Sequence, residues 1–269
     1  LEVKDKVIWI TGASSGIGRA MALHLDKLGA QLILSSRSEA DLEAVRQACQ
    51  SPERHRVVPL DLTQSDTFHE LCSELHQSYG HIDWLINNGG ISQRSLAVKT
   101  SESVIRKVME VDFFGTVALT QAVLPLMRKQ GFGTIINISS IAGKLGAPYR
   151  CAYSAAKHAL IGFMDSLRVE LSRENIRVVV VCPGFVKTNV SVNALTGEGQ
   201  TFGEMDEDIQ QGMNVDEFVK RCFKQIHKGR DEVIVADGLP WLAHHFRRLF
   251  PNRFHQFMAR KFNKMLAQS

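Results

Sequence analysis

Tyr153 and Lys157 stand four residues apart at the head of a run of good helix formers, SAAKHALIGFMDSL, so both project from one helix face, a turn apart. A phenol in water titrates near pH ~10 and needs a neighbouring cation before it can trade a proton with an alcohol or a carbonyl at neutral pH. Lys157 is placed to be that cation. Ser140, thirteen residues before Tyr153 and directly after the apolar strand TIINIS, offers a hydroxyl that can hold a substrate oxygen beside the phenol. The three form an acid/base unit that lacks only a hydride donor. A tyrosine and a lysine at this spacing are more often plain surface neighbours, and the rest of the chain decides between the two readings.

The donor's site is legible near the N-terminus. Residues 5 to 37 read as strand, glycine turn, helix and strand: KVIWITG, ASSGIGRAMALHLDKLGA and QLILSSR. In TGASSGIG, Gly12, Gly16 and Gly18 open the turn, let backbone approach a pyrophosphate, and let the helix pack closely on the sheet with its N-terminus facing the phosphates. A glycine pattern alone is weak evidence. Placed between an apolar strand and an apolar-periodic helix, it points to dinucleotide binding, with Ser14, Ser15 and Ile17 in the same loop. An NAD-type site carries a carboxylate about 20 residues after the glycines. Here Ser36, Arg37 and Ser38 hold that place and the first carboxylate is Glu39; a guanidinium flanked by hydroxyls suits a 2′-phosphate, so NADP is favoured over NAD. Arg19 could add a second positive charge.

These groups need a scaffold to bring them together. Strands follow at RVVPLDL, IDWLINNGG, TIINIS, IRVVVVCPG and DEVIVAD, alternating with helices. The alternation predicts an α/β fold: a doubly wound, mostly parallel seven-stranded sheet with helices on both faces. Asp61 and Leu62 end the third strand, where Asp61 can reach an adenine edge or cap the next helix. Asn88 and Gly89 end the fourth, where glycine lets a ligand lie against backbone. Pro183 and Gly184 close the sixth, followed by Val186 and by Thr188, whose hydroxyl is placed for the nicotinamide carboxamide. Residues 101 to 130 read as a long amphipathic helix, interrupted near Gly115 and Pro125, with an apolar surface broad enough for its own sheet and a second subunit. From 189 to 213 the chain is polar, glycine-bearing and aperiodic, which suits a mobile cover over the substrate pocket or, nearly as well, a surface insertion. Asn214 and Glu217 resemble a capping box.

With 269 residues, 44% of them apolar, the chain has enough for one well-buried domain over residues 1–240 and a tail at 241–269. Five scattered cysteines without a CxxC pair suggest neither a disulfide framework nor a metal site, and fit a reducing compartment. No apolar run of bilayer length and no cleavable leader is evident, so a cytoplasmic protein is expected. The net charge of +4 hides an uneven distribution: beyond Asp237 there is no acidic residue, while Arg247, Arg248, Arg253, Arg260, Lys261 and Lys264 interleave with large apolar side chains. Such a tail suits a membrane interface or an anionic partner; it equally suits a helix pair that closes the pocket or meets another subunit. Nucleic acid is not expected, since the remaining chain carries no basic stripe.

The glycine turn, NNGG, the serine strand, YSAAK and CPG, in this order and at these separations, resemble those of the short-chain dehydrogenase/reductase family over roughly residues 5 to 236. The likeness is to the shorter, single-domain branch with TGxxxGxG and YxxxK, and within it to the dehydrogenase/reductase member 7 group and its bacterial relatives. The resemblance implies Tyr153 as proton donor or acceptor, Lys157 as the adjacent cation that also binds the nicotinamide ribose, and Ser140 as the group that orients the substrate oxygen, with Ser139 turned the other way. It also implies an asparagine in the long helix holding a water that relays protons to the lysine. Asp112 occupies that place and brings negative charge towards Lys157; the family's NNAG stands here as NNGG. A homodimer or homotetramer through the long and catalytic helices is implied. The expected activity is NADP(H)-dependent interconversion of a small-molecule carbonyl and a secondary alcohol. Two other readings stand beside it: a catalytically weak, cofactor-binding regulator, hinted at by Asp112, and a peripheral membrane protein that works through 241–269.

Overall fold

The computed structural model describes residues 2–266. In chain order the elements are β1 (Val7–Thr11), α1 (Gly16–Lys27), β2 (Gln31–Ser35), α2 (Glu39–Gln47), β3 (Arg56–Val57), α3 (Phe68–Tyr79), β4 (Trp84–Asn87), α4 (Glu102–Met109), α5 (Thr116–Gln130), β5 (Gly133–Ile138), α6 (Cys151–Glu170), β6 (Ile176–Pro183), α7 (Glu207–Gln210), α8 (Val215–His227), β7 (Glu232–Val235), α9 (Gly238–Leu249) and α10 (Pro251–Leu266). The strands form one sheet in the order β3-β2-β1-β4-β5-β6-β7, and every pairing is parallel. Strands this apolar must be covered on both sides. Val7 and Trp9 of β1 face a core built with α3, α5 and α6, through Phe68, Leu119 and Met164. Ile8 and Ile10 face the opposite core, built with α1, α2 and α8 through Leu25, Leu42 and Phe218. The chain leaves β1 for β2 on one side and returns for β4 on the other, so a crevice opens at the carboxyl ends of β1 and β4.

Four local features differ from the sequence expectation. The third strand is short because Pro59 has no N–H to give; its neighbours still donate, Val58 N to Leu34 O and Leu60 N to Ser36 O, each at 2.9 Å. The long helix is not broken at Gly115 or Pro125. It runs from Glu102 to Gln130 with one wide π turn over Glu110–Gly115, and the absent side chain of Gly115 is what admits the Leu62 carbonyl, 2.1 Å from where a Cβ would stand. That continuous helix, contrary to the reading of the sequence, is long and apolar enough to cross a bilayer by length and composition; half of the apolar stretch is buried within the chain's own fold. Asn214 does cap α8, accepting from Asp216 N at 2.9 Å, but Glu217 turns to Arg221 Nε at 2.6 Å and closes no reciprocal box.

Residues 189–213 are packed down. Leu195 bridges to Gln93 and Thr201, Met213 pairs with Val186, and Ser191 and Ala194 are buried. The two C-terminal helices form a hairpin whose deepest anchor is Phe254, 2% exposed, set against Ile141 and Leu145.

Candidate active site

A cavity of about 1480 Å³ lies along the carboxyl ends of β1, β2, β4, β5 and β6. Its floor begins at the glycine turn. Gly12 adopts φ +63°, and a Cβ there would stand 2.8 Å from Asn88 Nδ2 and from Gly89 Cα; at Gly18 a Cβ would meet the Gly12 carbonyl at 2.2 Å. The turn is tied to the neighbouring strand end. Asn88 Nδ2 donates to the carbonyls of Thr11 and Gly12, both at 3.1 Å, while Thr11 Oγ1 accepts from Asn88 N at 3.0 Å and Gly89 N at 2.9 Å. Behind them Asn87 Nδ2 donates to Asn137 Oδ1 at 2.8 Å and Thr120 Oγ1 at 2.9 Å, locking β4 to β5 and α5. The result is a preset turn whose backbone, at the N-terminus of α1, lines the cavity together with Ser14, Ser15 and Ile17. That shape and donor set fit a dinucleotide pyrophosphate.

Ser14, Ser15, Gly16, Ile17, Arg37, Asp61, Leu62, Pro183, Gly184, Val186 and Thr188 line the same cavity as Gly12, Asn88 and Gly89. Gly18 does not; it is buried beneath the turn, where it permits the close packing of α1. Arg19 is exposed and outside the lining. Ser38 Oγ accepts from Asp41 N at 3.3 Å as the N-cap of α2, and Arg37 and Lys107 are the cations that line the cavity near Asp61. Asp61 caps a turn of its own, accepting from Thr63 N at 2.9 Å and Thr63 Oγ1 at 2.8 Å; these bonds hold its carboxyl below the usual range.

At the other end stand Ser140, Tyr153, Lys157 and Asp112, all on the cavity wall. Lys157 is buried; its Nζ donates to the Ile138 carbonyl at 3.3 Å, lies 3.2 Å from Asp112 Oδ2, and sits 5.6 Å from the centre of the Tyr153 ring. Asp112, in the π turn, is fully buried and takes the Ile91 N–H on Oδ1 at 2.7 Å. Its Oδ2 faces the ammonium as an ion pair without an aligned hydrogen bond. Burial pushes the Asp112 carboxyl up, against the pull of Lys157. Burial alone would push the Lys157 ammonium down; Asp112 foremost, and then Tyr153, outweigh it and hold it above its ordinary value. Gly90 makes room for the pair, since a Cβ there would come within 3.2 Å of both Asp112 Oδ1 and Lys157 Nζ. Ser140 Oγ accepts from Ala142 N at 3.1 Å, which leaves its own proton to donate; Ser139 turns away and donates to the Lys157 carbonyl at 3.2 Å.

The outer wall holds residues that sequence reasoning missed. Asp206, in the second half of the 189–213 segment, pairs with Arg94 Nη1 at 2.8 Å and with Arg150, whose other nitrogen donates to Ser92 Oγ at 2.8 Å. Arg94 also lies over the rings of Tyr149 and Phe202, with centroids at 5.6 and 5.3 Å. Tyr149 sits at φ +63°, a costly conformation for a bulky residue, held by a bond from Ser95 N to its carbonyl at 2.9 Å and by the Phe262 ring at 5.6 Å. None of these pairings has a short-range signal: Arg94 and Arg150 are each a lone cation in their local sequence.

A family model described as short chain dehydrogenase matches residues 6–199. A Drosophila melanogaster protein named dehydrogenase/reductase SDR family protein 7-like is 40% identical over 269 residues, covering 98% of this chain and 82% of that protein. Among solved structures, a short chain dehydrogenase from Burkholderia cenocepacia in complex with NADP aligns with a TM-score of 0.79 at 24% identity, over 96% of this chain and 99% of that one. A short chain dehydrogenase/reductase from Burkholderia phymatum in complex with NAD aligns with a TM-score of 0.77 at 22% identity, over 87% and 90%.

Proposed function

The chain belongs to the short-chain dehydrogenase family, and from that premise we propose that it is an NADP(H)-dependent oxidoreductase interconverting a carbonyl and a secondary alcohol on a small molecule. The observation that carries the reading is that Tyr153, Lys157 and Ser140 share one cavity with the glycine turn. A nicotinamide dinucleotide, when bound, supplies or accepts the hydride.

The chain's own residues do the remaining work. Gly12, Gly16 and the N-terminus of α1 hold the phosphates, Arg37 meets the 2′-phosphate that distinguishes NADP from NAD, and Thr188 holds the carboxamide. In reduction, Ser140 donates to the carbonyl oxygen and Tyr153 delivers its phenol proton to the same oxygen as negative charge builds there; in oxidation Tyr153 takes that proton back. Lys157, kept charged by Asp112, stabilises the phenolate side of the exchange. Asp112 thus acts by positioning and charge, in place of the family's asparagine.

Residues 189–213 serve as the cover of the substrate half, held by Asp206 on Arg94 and Arg150, within a single domain over 1–240. Exposed Phe114 on the long helix, 53%, and Val169 on α6, 72%, offer a face for a second copy, so a homodimer or homotetramer is the assembly we favour. Five free thiols fit a reducing compartment such as the cytoplasm. The test is oxidation of NADPH by the purified chain across a panel of aldehydes and ketones, with NADH in parallel. Turnover with NADPH ahead of NADH is expected. Tight NADPH binding with no turnover on any member would mark a cofactor-binding regulator instead.

A further inference from the structure

Helix α9 is built inside out. Its positions towards the protein body are Pro240, Ala243, His244 and Arg247, all half-buried, and Arg247 donates to the Lys144 carbonyl. Its outward face carries Trp241 at 47% exposure, Leu242 at 57% and Leu249 at 71%, with Phe246 half-turned towards the Phe254 ring, and no residue of the helix is buried. A surface helix of a globular domain buries its apolar stripe. This one turns its large apolar side chains to the outside and sets only Pro240 and Ala243, with His244 and Arg247, against the body.

The partner helix has the ordinary arrangement. On α10, Phe254, Met258 and Phe262 face inward at successive turns, leaving Arg253, Arg260, Lys261 and Lys264 exposed. With Arg248 on α9, the hairpin shows exposed cations beside an exposed apolar face and has no acidic residue from Gly238 to Leu266. An apolar stripe with an aromatic ring, flanked by cations and free of anions, is the surface that lies in the interface of an anionic bilayer. A second copy of this basic hairpin would meet it with like charge.

We propose that the α9–α10 hairpin docks on an anionic lipid surface, seating Trp241, Leu242 and Leu249 among the acyl chains and Arg248, Arg253, Arg260 and Lys264 among the headgroups. The same hairpin walls the cavity, through Leu239, Ala243, Phe257 and Met258. Docking therefore sets the substrate end of the cavity beside the bilayer.

The full chain is sedimented with vesicles of phosphatidylcholine alone and with added phosphatidylserine, while tryptophan emission is followed. Trp9 and Trp84 are buried, so a blue shift reports on Trp241. Partition onto the phosphatidylserine vesicles with a blue shift is expected, and Leu242→Ser with Leu249→Ser should lower the partition by roughly tenfold or more. Both positions are exposed, and unchanged thermal unfolding of the double variant separates lost docking from lost folding. Tyr153→Phe should bind vesicles as the parent does, so this result stands apart from hydride transfer. Absent or equal partition onto the two vesicles would overturn the proposal. So would a lipid-independent dimer that the same double substitution dissociates.

Discussion

Asp112 Oδ2 stands 3.2 Å from Lys157 Nζ, and both side chains are shut off from solvent. The carboxylate also holds the Ile91 N–H, so the loop after β4, the π turn of the long helix and α6 meet at one ion pair. The pair sets the pH range over which the lysine is a cation. Lys157 titrates above its ordinary value: burial alone would lower it, and Asp112 leads the contributions that raise it. A raised value means that the charge is present below it and is lost as pH climbs through it. Asp112→Asn removes the largest raising contribution, so the charge is lost at a lower pH. The alkaline limb of the kcat profile should move to lower pH. Superimposable limbs would show that Asp112 does not govern the lysine.

The glycine turn makes a contrast available within one chain. A Cβ at Gly18 would lie 2.2 Å from the Gly12 carbonyl and 2.5 Å from Asn88 Nδ2, so Gly18→Ala has to displace the turn. Stability should fall by about 1–3 kcal/mol, with weakened NADPH binding. Gly162, exposed in the middle of α6, has nothing within 4 Å of its added Cβ, so Gly162→Ala should stabilise by about 0.5–1 kcal/mol. Urea unfolding of the two variants checks both signs.

Arg37 lines the adenosine end of the cavity in the proposed NADP site, with Lys107 as a second cation near Asp61. Arg37→Ala should raise the Kd for NADPH by roughly 10- to 100-fold, the worth of a hydrogen-bonded charge, and leave NADH nearly unchanged. Titration calorimetry with both cofactors reads this directly. Equal losses for the two would remove Arg37 from cofactor selection.

Asp206 holds the 189–213 segment to Arg94 and Arg150 from a buried position. Asp206→Asn leaves two guanidiniums facing each other without their anion. Because Arg94 keeps 30% of its side chain exposed, the expected loss is about 1–3 kcal/mol, less than for a fully buried pair. Limited proteolysis should then cut faster within 189–213 than anywhere else. An unchanged digestion pattern would mean that the ion pairs do not hold the cover.

What could be read from the chain follows sequence distance. The βαβ unit at residues 5–37 and the Tyr153–Lys157 pair rest on spacings of a few residues, and the seven-stranded sheet on period and composition, so each was visible as a pattern. The pairings that finish the site are long-range. Asp112 meets Ile91 across 21 positions, Asn88 meets Thr11 across 77, and Asp206 meets Arg150 across 56. No local preference brings those partners together; the sheet order does. The π turn escaped for a similar reason, since Gly115 reads as a helix breaker until the Leu62 carbonyl is seen to occupy its side-chain space. The outward apolar face of α9 escaped because amphipathic period alone does not say which side meets the body.

The central claim is that the Tyr153 phenol carries the proton while the glycine turn holds the hydride carrier. It is tested most directly by Tyr153→Phe, assayed for NADPH oxidation on any carbonyl the parent chain reduces and, in the same preparation, for NADPH affinity. Removing only the phenol oxygen should cut kcat by roughly 10²- to 10⁴-fold with the Kd for NADPH nearly unchanged. A variant that turns over like the parent would contradict the account.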